Sequence, residues 1–194
     1  MVLEDIRIVV IGGSAGSYNV VRKILSSISE SFPLPVILCL HRLKDTRNGF
    51  VESLNLVSKV PVIEPHDKEL LKAGFIYLNP SNYHMLIEPT RTVALSTESD
   101  INYCRPSIDL TFETAGYAFK NKMAGIILSG ANSDGAKGIY SAFKNGAFTL
   151  VQDPSNAQFN TMPEEVLKHF KPHKILSDED IIGFIDSLKS NKYV

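Results

Sequence analysis

Apolar residues in this chain fall into short unbroken runs separated by stretches of helical period. Arg7 to Ile11 reads as a buried strand that ends in a glycine-rich turn. Val20, Val21, Ile24, Leu25 and Ile28 then recur at helical spacing, which predicts an amphipathic helix starting near Ser17. Pro33 and Pro35 stop that helix and lead into a second apolar strand, Val36 to His41, and Val60 to Pro65 is a shorter third. The pattern then changes: "GFIYLNP", "HMLIEP" and "TVALST" are three short β-like stretches, read as a small hairpin or meander insert. From Pro106 the helical period returns, with Ile108, Phe112, Ala115 and Phe119 on one face. "MAGIILSG" predicts a strand, Asp134 to Phe143 a helix, "AFTLVQD" a strand, and Glu164 to His169 a short helix. Ile181, Ile182, Ile185 and Leu188 mark a last helix, capped by Ser177.

Strands alternating with helices predict an α/β fold: a doubly wound, mostly parallel sheet with helices on both faces, plus the small β insert. The 194 residues show no repeat, low-complexity tract or linker, so residues 1–194 read as one domain.

Composition narrows the function classes. A net charge of -1 and a pI near 6.5 give no basis for non-specific nucleic-acid binding. The apolar runs are strand-length and far too short for a bilayer, and Glu4, Asp5 and Arg7 break any signal-peptide pattern. Two cysteines in unrelated contexts, Cys39 and Cys104, suit a reduced cytoplasm, and Cys39 reads as core packing.

In open α/β sheets, sites form beyond the carboxyl ends of the strands. The first strand ends on Ser14, the second on His41, and the run Ile126 to Ser129 leads into "GANSDG", which contains Asp134. These are the parts of an acyl-transfer triad. A serine hydroxyl needs an imidazole to take its proton, and the imidazole needs a carboxylate to fix its tautomer. Each residue also has a plainer reading: Ser14 as the cap of the first helix, His41 as an ordinary strand-end histidine, Asp134 as a helix cap. The glycine turn does not fit a dinucleotide site, because G-x-G-x-x-G is absent and the second strand ends on His41 rather than an acid. It lacks the Gly-Lys-Ser/Thr of a phosphate loop. It also comes too early for an α/β-hydrolase elbow, and the late histidines His169 and His173 lie on a helix end and a proline-flanked loop.

Six ordered motifs resemble the catalytic domain of the chemotaxis receptor protein-glutamate methylesterases: "IGGSAGS", "LCLHR", "YLNPSNYHM", "CRPSIDLTF", "ILSGANSDGAKG" and "LVQDPSNAQFNTMPEEVL". The resemblance implies Ser14 as nucleophile, His41 as general base and then acid, and Asp134 as orienting carboxylate. It implies hydrolysis of glutamyl methyl esters on the cytoplasmic helices of chemoreceptors, with glutamine deamidation in some members. No metal or organic cofactor is implied. Ala131 resembles a family position that donates to the oxyanion, and the N–H of Ala15 is a second donor on physical grounds. Arg105 matches a recurring position that guides an acidic receptor helix or anchors the insert. His84, within the hairpin match, is given no chemistry. The segment Thr161 to Val166, with Met162, is placed at the rim of the site. Two departures stand out. Ser14-Ala15-Gly16-Ser17 replaces a common Ser-Thr-Gly-Gly, and only Met1 to Ile6 precede the first strand where a receiver domain is usual. The expectation is a stand-alone enzyme or an excised catalytic domain, whose regulator would be a separate phospho-receiver or kinase. The competing classes are a non-catalytic receptor-binding module of the same fold and an esterase for a substrate outside chemotaxis.

Overall fold

The computed structural model describes residues 3–42 and 49–193. Strand β1 (Ile8–Gly13) is buried along its whole length. It alternates its side chains between two cores, as a strand covered on both faces must. Val9 and Ile11 point into one core with Val21, Ile24 and Leu25 of α1 (Tyr18–Ser27) and Ile181 and Ile185 of α6 (Asp178–Ser187). Ile8 and Val10 point into the other with Ile108, Phe112 and Ala115 of α3 (Ile108–Phe119) and Ile139 of α4 (Ala136–Lys144). Fully burying each such aliphatic contributes about 1.5–3 kcal/mol.

The remaining strands of the main sheet are β2 (Val36–Leu40), β3 (Val62–Ile63), β4 (Ile76–Leu78), β7 (Met123–Ile127), β8 (Phe148–Gln152) and β9 (Lys174–Leu176). Their order is β3-β4-β2-β1-β7-β8-β9, and every pairing is parallel. Helix α1 connects β1 to β2 across one face, while α4 connects β7 to β8 across the other. The chain therefore winds in opposite directions from β1 and β7, and the cleft between those crossovers lies at their carboxyl ends. Helix α2 (Phe50–Asn55) precedes β3, and α5 (Thr161–His169) joins β8 to β9.

The predicted three-stretch insert is smaller than the sequence suggests. Only β5 (His84–Ile87) and β6 (Val93–Ser96) form a separate antiparallel hairpin. The first stretch, as β4, inserts between β3 and β2 in the parallel sheet, where Ile76, Tyr77 and Leu78 are fully buried. No helix joins β3 to β4, so βα alternation does not assign this stretch to the parallel sheet. The first strand also runs two residues further than its apolar run. Gly12 pairs with Cys39 and Ile127, and Gly13 with Leu40. Gly12 is required there because a Cβ would lie 2.6 Å from Ile108 Cγ2 of α3.

Candidate active site

The parallel register sets the first contact. Gly13 lies beside Leu40, so Ser14 and His41 emerge side by side, and the His41 N–H donates to Gly13 O at 3.2 Å. The Ser14 N–H donates to Ser129 O at 2.9 Å, tying the turn to the end of β7. Gly16 turns the chain with φ +80, where a Cβ would lie 2.6 Å from Ser129 Oγ. Ser129 Oγ donates to Ala15 O at 2.8 Å and accepts from Phe159 N at 2.9 Å. The turn is thus bonded on both sides. The N-cap of α1 is Ser17, whose hydroxyl donates back to Ser14 O at 2.7 Å. Ser14 is not the capping residue, and its hydroxyl turns to the imidazole.

His41 bridges the other two residues. Its Nδ1 stands 3.2 Å from Ser14 Oγ, and its Nε2 stands 2.7 Å from Asp134 Oδ2. With Asp134 ionised, Nε2 carries the proton and Nδ1 is left as the acceptor facing serine. The ring is therefore used in the opposite sense to the common triad, in which Nδ1–H faces the carboxylate.

Asp134 is almost fully buried, with 1% of its side chain exposed. It does not cap α4, which starts after Gly135 at φ +94. Its carboxylate instead reaches the N-terminus of α3. Oδ2 accepts from Ile108 N at 2.7 Å, and Oδ1 accepts from Asp109 N at 3.1 Å and Ser107 Oγ at 3.2 Å. Burial alone would raise its pKa. The His41 hydrogen bond and the N–H groups of Ile108 and Asp109 outweigh burial and hold the carboxyl below its ordinary value. Neighbouring Asp109 shifts upward, through burial first and the charge of Asp134 as a further cause.

Ser107 and Asn132 are not among the residues singled out from the sequence, whereas His84, given no chemistry there, takes a structural place. Ser107 caps α3, its Oγ accepting from Leu110 N at 3.3 Å while donating to Asp134. The buried His84 accepts from Ser107 N at 3.1 Å through Nδ1 and contacts Ser99 O at 3.1 Å through Nε2. A serine directly before an apolar helical run is a cap signal, and "PSIDLTF" carried it. Nothing in the sequence marks Asn132, whose Nδ2 lies 3.3 Å from His41 Nδ1.

Ser14, Ala15, His41, Cys104, Arg105 and Asn132 border a depression of about 520 Å³. The N–H groups of Ala15 and Ala131 have no partner among the described residues; Ala15 borders the depression, and Ala131 immediately precedes Asn132, which also borders it. Arg105 reaches the depression, but its guanidinium is engaged. It donates to Asn82 Oδ1 at 2.8 and 3.0 Å and to Thr97 O and Glu98 O at 2.8 Å, and it pairs with Asp100 at 3.5 Å. Those contacts anchor the segment after β6. Met162 is not brought to the rim. Its side chain is fully buried, packed where a Cβ on Gly130 would lie 2.5 Å from Met162 Cε. Cys39 is fully buried between β2 and α3, and burial pushes its thiol pKa far up.

Fold and site together define a doubly wound α/β protein with a serine–histidine–aspartate constellation at the carboxyl ends of three strands. A family model described as CheB methylesterase matches residues 9–185. A putative protein-glutamate methylesterase/protein-glutamine glutaminase of Leptospira interrogans is 36% identical over 94% of this chain and 95% of its own length. A protein-glutamate methylesterase/protein-glutamine glutaminase of Geobacter metallireducens is 34% identical over 99% of this chain, which spans 56% of that relative. The crystal structure of the Thermotoga maritima CheB methylesterase catalytic domain superposes with a TM-score of 0.87 at 27% identity, covering 94% of this chain and 98% of that one. The chain belongs to the CheB methylesterase family. Among the described residues, no helix is long and apolar enough to cross a membrane.

Proposed function

We propose that this protein is a protein-glutamate methylesterase in which Ser14, His41 and Asp134 form the catalytic triad. The observation that carries the reading is the continuous path from Ser14 Oγ through His41 Nδ1 and Nε2 to Asp134 Oδ2, with steps of 3.2 and 2.7 Å. As the ester carbonyl enters the depression, His41 Nδ1 takes the Ser14 proton and Oγ attacks the carbonyl carbon. Asp134 stabilises the imidazolium through Nε2–H without taking its proton. The Ala15 and Ala131 N–H groups receive the oxyanion, each worth about 3–4 kcal/mol in comparable sites. Nδ1–H then protonates the departing methoxide. A water, deprotonated by Nδ1, attacks the acyl-serine carbonyl, and Nδ1–H returns that proton to Ser14 Oγ as the acyl–oxygen bond breaks and the glutamate is restored.

The names of the Leptospira and Geobacter relatives support both the ester substrate and a glutamine substrate. The same steps deamidate glutamine, with ammonia leaving in place of methanol. On this reading the natural substrate is a methylated cytoplasmic helix of a chemoreceptor, and the enzyme works in the cytoplasm. A phospho-receiver or kinase is the class of regulator that fits such a role. The test is mass spectrometry of a methylated receptor helix before and after incubation with wild type and Ser14→Ala. Loss of the methyl mass with wild type alone supports the reading. Equal turnover by the variant removes Ser14 as the nucleophile. A fluorophosphonate probe that fails to label Ser14 would favour a non-catalytic receptor-binding module.

A further inference from the structure

We propose that the mouth of this site captures a zinc-class divalent cation between His41 Nδ1 and Cys104 Sγ, with Ser14 Oγ as third donor, and that the cation inhibits the enzyme reversibly. The inhibitory half rests on the triad reading above; the binding half does not.

Two of the three ligand separations can be set against zinc coordination. Tetrahedral zinc, with Zn–N of about 2.05 Å and Zn–S of about 2.3 Å, sets its nitrogen and sulfur ligands roughly 3.6 Å apart and two N/O ligands roughly 3.3 Å apart. His41 Nδ1 and Cys104 Sγ are 4.0 Å apart, and His41 Nδ1 and Ser14 Oγ are 3.2 Å apart. Zinc binding therefore requires Cys104 Sγ and His41 Nδ1 to approach by about 0.4 Å. The donor atoms of His41, Cys104 and Asp134 all fall within 4.8 Å of one another.

Asp134 is not a ligand on this reading. Its Oδ2 accepts from His41 Nε2 at 2.7 Å, the carboxylate–histidine arrangement that fixes the tautomer of metal-bound imidazoles. It leaves the Nδ1 lone pair facing the depression, where a cation or the serine proton can take it.

The side chain of Asn132 shows that the two atoms face a common point. Asn132 Nδ2 lies 3.3 Å from His41 Nδ1 and 3.7 Å from Cys104 Sγ. Both acceptors converge on one amide nitrogen, the positive end of a side-chain dipole. A cation offers the same polarity at greater strength, and the amide must swing aside to admit it. On binding, the thiol proton leaves to solvent and the sulfur–metal bond forms, so affinity rises with pH. The captured Nδ1 lone pair no longer accepts from Ser14. A soft sulfur donor selects zinc or cobalt over magnesium and calcium.

The test uses the whole chain. Zinc chloride titrated calorimetrically into wild type should bind at one equivalent, and cobalt(II) should give a thiolate-to-metal charge-transfer band. Cys104→Ser, which keeps the side-chain volume, should lose the band and weaken zinc binding at least about tenfold. Asn132→Ala should tighten it. Methanol release, each variant measured against its own metal-free rate, should be inhibited by zinc in wild type and resist it in Cys104→Ser. Equal zinc binding or equal inhibition in wild type and Cys104→Ser would overturn the proposal, as would the absence of a one-equivalent site. A protein that binds zinc through Cys104 but hydrolyses no methylated receptor would sink the triad reading and leave the cation site standing.

Discussion

Asp134 and Ile108 share a hydrogen bond of 2.7 Å, made with the same carboxylate oxygen that accepts from His41 Nε2. The residue that orients the imidazole thus also closes the N-terminus of α3, a helix from a different part of the chain. The positive end of that helix faces the carboxylate and keeps it ionised, so the proton on Nε2 has a charged acceptor. On the proposed mechanism, stability and chemistry are joined at one side chain.

That junction predicts a double effect for Asp134→Asn. An amide presents both a donor and an acceptor to the ring, so the Nδ1–H tautomer becomes accessible and Nδ1 can no longer take the Ser14 proton. Turnover should fall by roughly 10⁴-fold, as when the tautomer is lost in comparable triads. The melting temperature should fall as well, because the N–H groups of Ile108 and Asp109 lose a charged acceptor. Methanol release and thermal unfolding read the two effects separately; a variant with full activity would show that Asp134 serves α3 alone.

Ser14→Ala should lower turnover by about 10⁴-fold or more while leaving the fold unchanged, because the Ser14 backbone bonds to Ser129 and Ser17 do not involve its hydroxyl. His41→Ala should cost a similar factor, and the double variant little more, since the two act as a unit. Additive losses in the cycle would show that they act independently.

The juxtaposition of Ser14, His41 and Asp134 was legible because the first two directly follow apolar strands and the third lies in the loop after another, and a parallel sheet brings strand ends to one edge. The helix facing the site was legible from Ile108, Phe112, Ala115 and Phe119, all of which are buried. β4 was legible as a β-like stretch but not as a member of the parallel sheet, because the link from β3 has no helix to announce it. β9 was missed because it is a three-residue edge strand with two residues exposed, Lys174 and Ile175. Asn132 and His84 act through contacts across 91 and 23 residues, which local pattern does not encode.

His84 stands behind Ser107, two contacts away from Asp134. His84→Ala should leave the buried Ser107 N–H without its acceptor, costing about 1–3 kcal/mol of stability. Because Ser107 Oγ donates to Asp134 Oδ1, activity should also fall, though far less than for the triad variants. Denaturant unfolding and methanol release on the same preparation check this. Unchanged stability would mean that the ring is dispensable to the turn.

Two neighbouring carboxyls pull acid stability in opposite directions. Asp134 is held below its ordinary value, so it contributes stability above the unfolded pKa of about 4, and this is lost as pH falls through its lower folded value. Asp109 is raised, so its contribution is present at low pH and is lost as pH rises through its folded value. Asp134→Asn removes the first contribution and relieves part of the second. Those two changes act in opposite directions on the acid slope, so the comparison is made in an Asp109→Asn background: adding Asp134→Asn there should give an unfolding free energy, followed by urea titration from about pH 2 to 6, that falls less steeply toward acid than that of Asp109→Asn alone. Parallel curves would show that Asp134 is not the residue whose protonation weakens the fold.

Arg105 separates anchoring from substrate contact. Its guanidinium already bonds Asn82, Thr97 and Glu98 and pairs with Asp100, and only 18% of the side chain is exposed. An arginine committed to that many acceptors has little left for an acidic receptor helix. Arg105→Ala should therefore act through the segment it holds. Amide hydrogen exchange across residues 97–104 should accelerate, and Cys104, next in sequence, should become more accessible to a thiol reagent. KM for a methylated receptor helix should change less than about threefold, well under the 1.5–3 kcal/mol lost with a charged hydrogen bond to substrate. A large rise in KM with protection at residues 97–104 unchanged would instead assign Arg105 to the substrate.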